Sequence, residues 1–136
     1  MYNDLYIVKY LHQAMSRPGN KTHWERGPDG GYSAIVGRGA KKVTINIVCA
    51  PTRPISRVIL TLSARELGEI SIPEPLPKVF SFRKRYDTED EKELSEILNS
   101  LLRTVGTKVA REELNDMETE EERKQRIFEL LFNSPL

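Results

Sequence analysis

Cysteine occurs once, as Cys49, and a single thiol excludes an internal disulfide framework and the cysteine-rich zinc folds. Histidine occurs twice, as His12 and His23, and neither C-x-x-C nor H-x-x-x-H spacing is present, so no metal site is expected. No apolar run approaches the roughly 18–20 residues that a membrane-crossing helix needs. The opening residues, MYNDLYIVKYLHQ, carry neither a basic n-region nor a small-residue cleavage site. A soluble, cytoplasmic protein with no membrane partner is the expectation. Also missing are the G-x-S-x-G turn that holds a serine nucleophile and the alternating Asp/Asn ligands of a calcium loop. The sequence therefore offers no catalytic residue, no cofactor-binding residue and no small-molecule substrate.

What is present is one domain's worth of chain, 136 residues with 38% hydrophobic and 30% charged residues, enough for a single core without staples. The net charge of +1 conceals a division along the chain. Residues 1–86 hold 14 Lys and Arg against 6 Asp and Glu, and residues 87–136 hold 7 against 14. A split of this kind reads either as a basic binding face with an acidic appendage or as two halves that neutralise each other in the fold.

The hydrophobic pattern divides the chain into three parts: residues 1–20, 21–86 and 87–136. Residues 4–15 place Ile7, Val8, Leu11, Ala14 and Met15 at helical spacing, with Asn3 or Asp4 as cap and Arg17-Pro18-Gly19-Asn20 as stop. Strands are expected over 21–26 and 32–37, joined by the turn-rich Gly27-Pro28-Asp29-Gly30-Gly31. Two more are expected over 42–50 and 57–64, and a short one over 69–72. In the first of these Val43, Ile45, Ile47 and Cys49 share one face, which predicts a buried, inert thiol. Val79-Phe80-Ser81-Phe82 reads as a further edge strand. Residues 88–136 read as two helices, each opened by a capping box: Thr88 to Glu91, and Thr119 to Glu122. The first carries the apolar stripe Leu94, Ile97, Leu98, Leu101, Leu102, Val105, Val109, interrupted by Gly106 at a close approach, a kink or the helix end. The resulting fold class is α+β: an N-terminal helix, an antiparallel meander of four or five strands, and two C-terminal helices packed on or beside the sheet.

Two surfaces carry functional signals. Ile127, Phe128, Leu130, Leu131 and Phe132 wrap more than one face of a helix, leaving apolar surface for another chain. Phe128, Leu131 and Phe132 are the expected interface of a homodimer that binds a protein partner. The second signal is a basic and aromatic cluster on the hairpins. There Trp24 and Tyr32 would stack bases while Arg26, Arg38, Lys41 and Lys42 met phosphates, as in sheets that bind single-stranded nucleic acid. The leading expectation is a non-enzymatic protein-binding module that self-associates; a nucleic-acid-binding module is the alternative. An enzyme assembled from distant residues is the third.

Overall fold

The computed structural model describes residues 3–51, 55–76, 78–80, 83–85 and 88–133. Helix α1 spans Asp4–Ser16, and Asn3 is its cap, its side chain accepting from the Tyr6 N–H at 2.9 Å. Five strands follow: β1 (Trp24–Arg26), β2 (Tyr32–Val36), β3 (Val43–Ala50), β4 (Arg57–Ala64) and β5 (Gly68–Pro73). They form one antiparallel sheet in the order β1-β2-β3-β4-β5, the meander that short connections favour. Between β1 and β2 the Asp29 carboxylate accepts from the Gly31 N–H at 3.1 Å, closing the turn on its own backbone. Between β2 and β3 the chain takes one 3-10 turn, Gly39–Lys41. Gly37 enters it at φ +94°, where a Cβ would lie 2.2 Å from the Lys41 carbonyl oxygen, so only glycine fits.

The core lies on one face of the sheet. Tyr32, Ile47, Leu60 and Ile72 stand opposite one another across β2, β3, β4 and β5, and the last three are buried. Ile45, Val58, Ala34 and Trp24 extend this apolar surface. Ser33, Asn46, Thr61 and Ser71 form the corresponding row on the other face, as period-two strands with one solvated side require.

The core face is covered by α2, a single helix of 45 residues, Glu89–Asn133. Thr88 caps it, its hydroxyl accepting from the Glu91 N–H at 3.1 Å. Leu94, Leu98, Leu101, Val105 and Val109 are its buried stripe. Val8 and Met15 of α1 complete the core against it.

Three features differ from the sequence pattern. The two expected C-terminal helices are one. The second capping box lies within a continuous helix, and the Thr119 hydroxyl donates to the Asn115 carbonyl at 2.9 Å, a bond made inside a helix rather than at its start. The edge strand expected at 79–82 does not join the sheet. Lys78–Phe80 (β6) pairs instead with Arg83–Arg85 (β7) in a separate two-stranded ribbon, and residues 81–82 lie outside the described residues. Cys49 stands on the expected face yet is exposed, because it lies at the rim of the sheet beyond Ile47, beside Tyr32, Leu102 and Gly106. Gly106 marks a close approach: a Cβ there would stand 3.1 Å from the Tyr32 hydroxyl oxygen.

Candidate interaction interface

α2 is longer than the body it covers. At a 1.5 Å rise per residue it runs about 67 Å, and its last buried side chain is Val109. Every described side chain from Arg111 to Asn133 is exposed, and about 30 Å of helix, from Leu114 to Asn133, follows the last of its ion pairs with the sheet, at Glu113. The apolar residues of this extension are Leu114, Ile127, Phe128, Leu130, Leu131 and Phe132. The interface residues expected from sequence are all here: Phe128 is 62% exposed, Leu131 60% and Phe132 78%. None of these six side chains is buried against the sheet. Sequence reasoning divided the helix at Thr119 and so missed Leu114, which the continuous helix places on the same rod.

Local pairs run along the extension. Lys124 stands 3.7 Å from Glu120 and 3.9 Å from Glu121, Gln125 donates to Glu129 at 3.5 Å, and the Phe128 and Phe132 rings stack at 6.1 Å. Pairs of this type contribute about 0.2–0.5 kcal/mol each. Fully burying one leucine or phenylalanine contributes about 1.5–3 kcal/mol. Burial against another chain is therefore the larger available term.

Where the extension leaves the body, it is anchored by charge. Glu113 accepts from Arg26, and Glu112 lies 3.2 Å from His23. The hydrogen bond to Glu113, and then its charge, raise the Arg26 pKa further above the ordinary guanidinium value. Lys9 on α1 meets Glu93 at 2.7 Å nearer the helix start. Part of the division of charge along the chain is thus cancelled where α2 crosses the body.

The basic hairpin cluster comes apart under this geometry. Trp24 is 2% exposed, with its indole N–H directed at the Met15 sulfur 3.4 Å away, so its ring is a core element with no face for a base. Tyr32 is half-buried beneath the Arg26 guanidinium, 5.6 Å from its ring centroid, and Arg26 is already engaged by Glu113. Arg38, Lys41 and Lys42 are exposed around the 3-10 turn, at the other end of β2 from Arg26. The six residues do not form one continuous surface of stacking rings and cations.

A polar node invisible to hydropathy ties the sheet to α2. Glu74, just past β5, accepts from the Val58 N–H at 3.0 Å, from Asn99 Nδ2 at 3.0 Å and from the buried Ser95 hydroxyl. Its own N–H donates to the Val58 carbonyl at 2.7 Å. Comparison with family models, curated proteins and solved structures gave no match. Among the described residues, no helix is long and apolar enough to cross a membrane.

Proposed function

We propose that this protein is a self-associating interaction module, and that two copies pair through the extension of α2 in antiparallel orientation. One observation carries the reading: a helical segment whose described side chains are all exposed presents large apolar residues at coiled-coil spacing. Leu114, Met117, Glu121, Lys124, Phe128 and Leu131 follow one another at alternating intervals of three and four residues, the a and d positions of a heptad seam. Ile127 and Phe132 flank it.

The two polar residues inside the seam favour the antiparallel arrangement. Turned end for end about the point between Glu122 and Arg123, the seam sets Leu114 opposite Leu131 of a second copy and Glu121 opposite Lys124. An apolar layer of Leu114 and Leu131 then stands on each side of two central pairs of opposite charge. In a parallel pair in register, Glu121 would face Glu121 and Lys124 would face Lys124, which costs stability. The wider charge distribution agrees. The first half of the extension holds Glu112, Glu113, Asp116, Glu118 and Glu120, and the second holds Arg123, Lys124 and Arg126. A two-fold axis brings these opposite ends together and makes one patch complementary to itself.

The test is the mass in solution. Sedimentation equilibrium of the full chain is expected to give twice the 15.6 kDa chain mass. Phe128→Asp/Leu131→Asp is expected to give a folded monomer, because both side chains are already exposed within one chain. A wild-type monomer at all concentrations ends the reading, and an unchanged dimer in the variant removes these residues from the interface. Orientation is checked separately. Glu121→Lys alone should weaken the dimer, and adding Lys124→Glu should restore it; a double variant as weak as the single one rules out the antiparallel register.

A further inference from the structure

A groove of about 720 Å³ runs between the end of α1 with its following turn and the middle of α2, on the body and apart from the extension. Four cations line it: Arg17 from the turn and Arg103, Lys108 and Arg111 from α2. Hydroxyls of Thr104 and Thr107 lie between them, and no carboxylate lines the groove. Among the described residues, none of the four cations makes an ion pair. Lys108 is instead held in place by Asn20, donating to its side-chain oxygen at 3.0 Å, and Arg103 donates to the Ser100 hydroxyl at 3.4 Å. The carboxylates that follow Arg111 in the chain are engaged elsewhere, Glu112 with His23 and Glu113 with Arg26. The volume is that of a small-molecule site, yet the lining is cationic and hydroxylic rather than apolar.

From this geometry we infer that the groove binds a compact, multiply charged phosphate-bearing anion, a polyphosphate or a small polyphosphorylated molecule. Three guanidinium groups and an ammonium around one space are suited to phosphate oxygens, which arginine meets through paired N–H donors and lysine as a point charge. The compactness of the cluster distinguishes this ligand from a nucleic-acid strand. Arg103 and Arg111 are eight residues apart, about 12 Å along the helix. Acidic residues close the basic stretch at both ends: Glu93 and Glu96 before it, Glu112 and Glu113 after it. A strand-binding surface needs a positive track that continues along the backbone.

Calorimetric titration of the full chain with inorganic tripolyphosphate at physiological salt tests the assignment. The expected result is saturable binding, one anion per chain. Arg103→Gln/Arg111→Gln should weaken it at least about tenfold, since charge-assisted hydrogen bonds are lost. Arg17→Gln, on the other wall, should weaken it in the same direction, and Lys41→Gln/Lys42→Gln on the distant turn should leave it unchanged. All of these side chains are exposed apart from the intramolecular contacts given above, and unchanged far-UV circular dichroism verifies the fold of each variant. Absence of binding, or equal weakening by the Lys41/Lys42 variant, overturns the proposal. Equal affinity for sulfate reduces the groove to a general anion trap and also overturns it. Tighter binding of a single-stranded oligonucleotide, lost with the same arginines, would assign the groove to a nucleic-acid backbone instead.

Discussion

Glu74 shows how much one polar side chain can carry in a small sheet. It follows the last strand of the meander, it is flanked by Pro73 and Pro75, and it gathers three donors from β4 and α2. Removing the carboxylate takes the acceptor from the Val58 N–H and from the Ser95 hydroxyl. Glu74→Ala is expected to lower unfolding stability by about 2–3 kcal/mol, the range for orphaning buried donors. Glu74→Gln, which retains an acceptor, should lose less. Chemical denaturation measures both, and a loss under about 0.5 kcal/mol for the alanine variant would mean that water replaces the carboxylate. Trp24 teaches the converse at the same scale. A tryptophan among cations reads as a stacking platform, but its flat ring also suits the end of a core, and here the Met15 sulfur receives its N–H.

At the scale of elements, α2 is two helices in behaviour and one in backbone. From Leu94 to Val109 it is a core helix with a buried stripe. Beyond Arg111 all its described apolar side chains are exposed. A helix of this kind is marginal alone, because propensity and local pairs barely exceed the entropy of ordering it. If two copies pair as proposed, dilution is therefore expected to reduce far-UV ellipticity while the fluorescence of Trp24, buried in the body, stays constant. Parallel loss of both signals would show that the extension and the body unfold together. The continuous backbone across Thr119 follows from the same physics. Glu118, Thr119, Glu120 and Glu121 are compatible with a helix interior as well as with a first turn, and neither proline nor glycine intervenes between Arg111 and Asn133.

For the molecule as a whole, the division of charge resolves partly within the chain. Lys9, His23 and Arg26 meet Glu93, Glu112 and Glu113 where α2 crosses the body. Exposed pairs of this kind contribute little to stability, but they fix where the rod emerges. Arg38, Lys41 and Lys42 remain solvated on one side, and the acidic run from Glu118 to Glu122 lies on the extension. With Trp24 enclosed and Arg26 engaged, a single-stranded oligonucleotide at low salt is expected to leave Trp24 fluorescence unquenched. Quenching that disappears as salt is raised would restore the hairpins as a nucleic-acid surface.

The antiparallel strands, the N-terminal helix and the core face of α2 were legible in the sequence. Each is a local periodicity, two residues for Ile45 and Ile47 or three to four for Leu94, Leu98 and Leu101, and burial of such a stripe leaves few alternatives. The turn at Gly27–Gly31 was equally plain, because glycine there answers a steric demand of the backbone itself. Tertiary structure alone decided which apolar residues the core would use. Trp24 and Phe128 look alike in hydropathy, yet one lies beneath α1 and the other beyond the edge of the sheet. It also decided that Arg17 joins Arg103, Lys108 and Arg111, residues more than 80 positions apart in the chain. Such juxtapositions depend on how long a helix continues and where it crosses its neighbours, and no pattern within one turn or one strand encodes that.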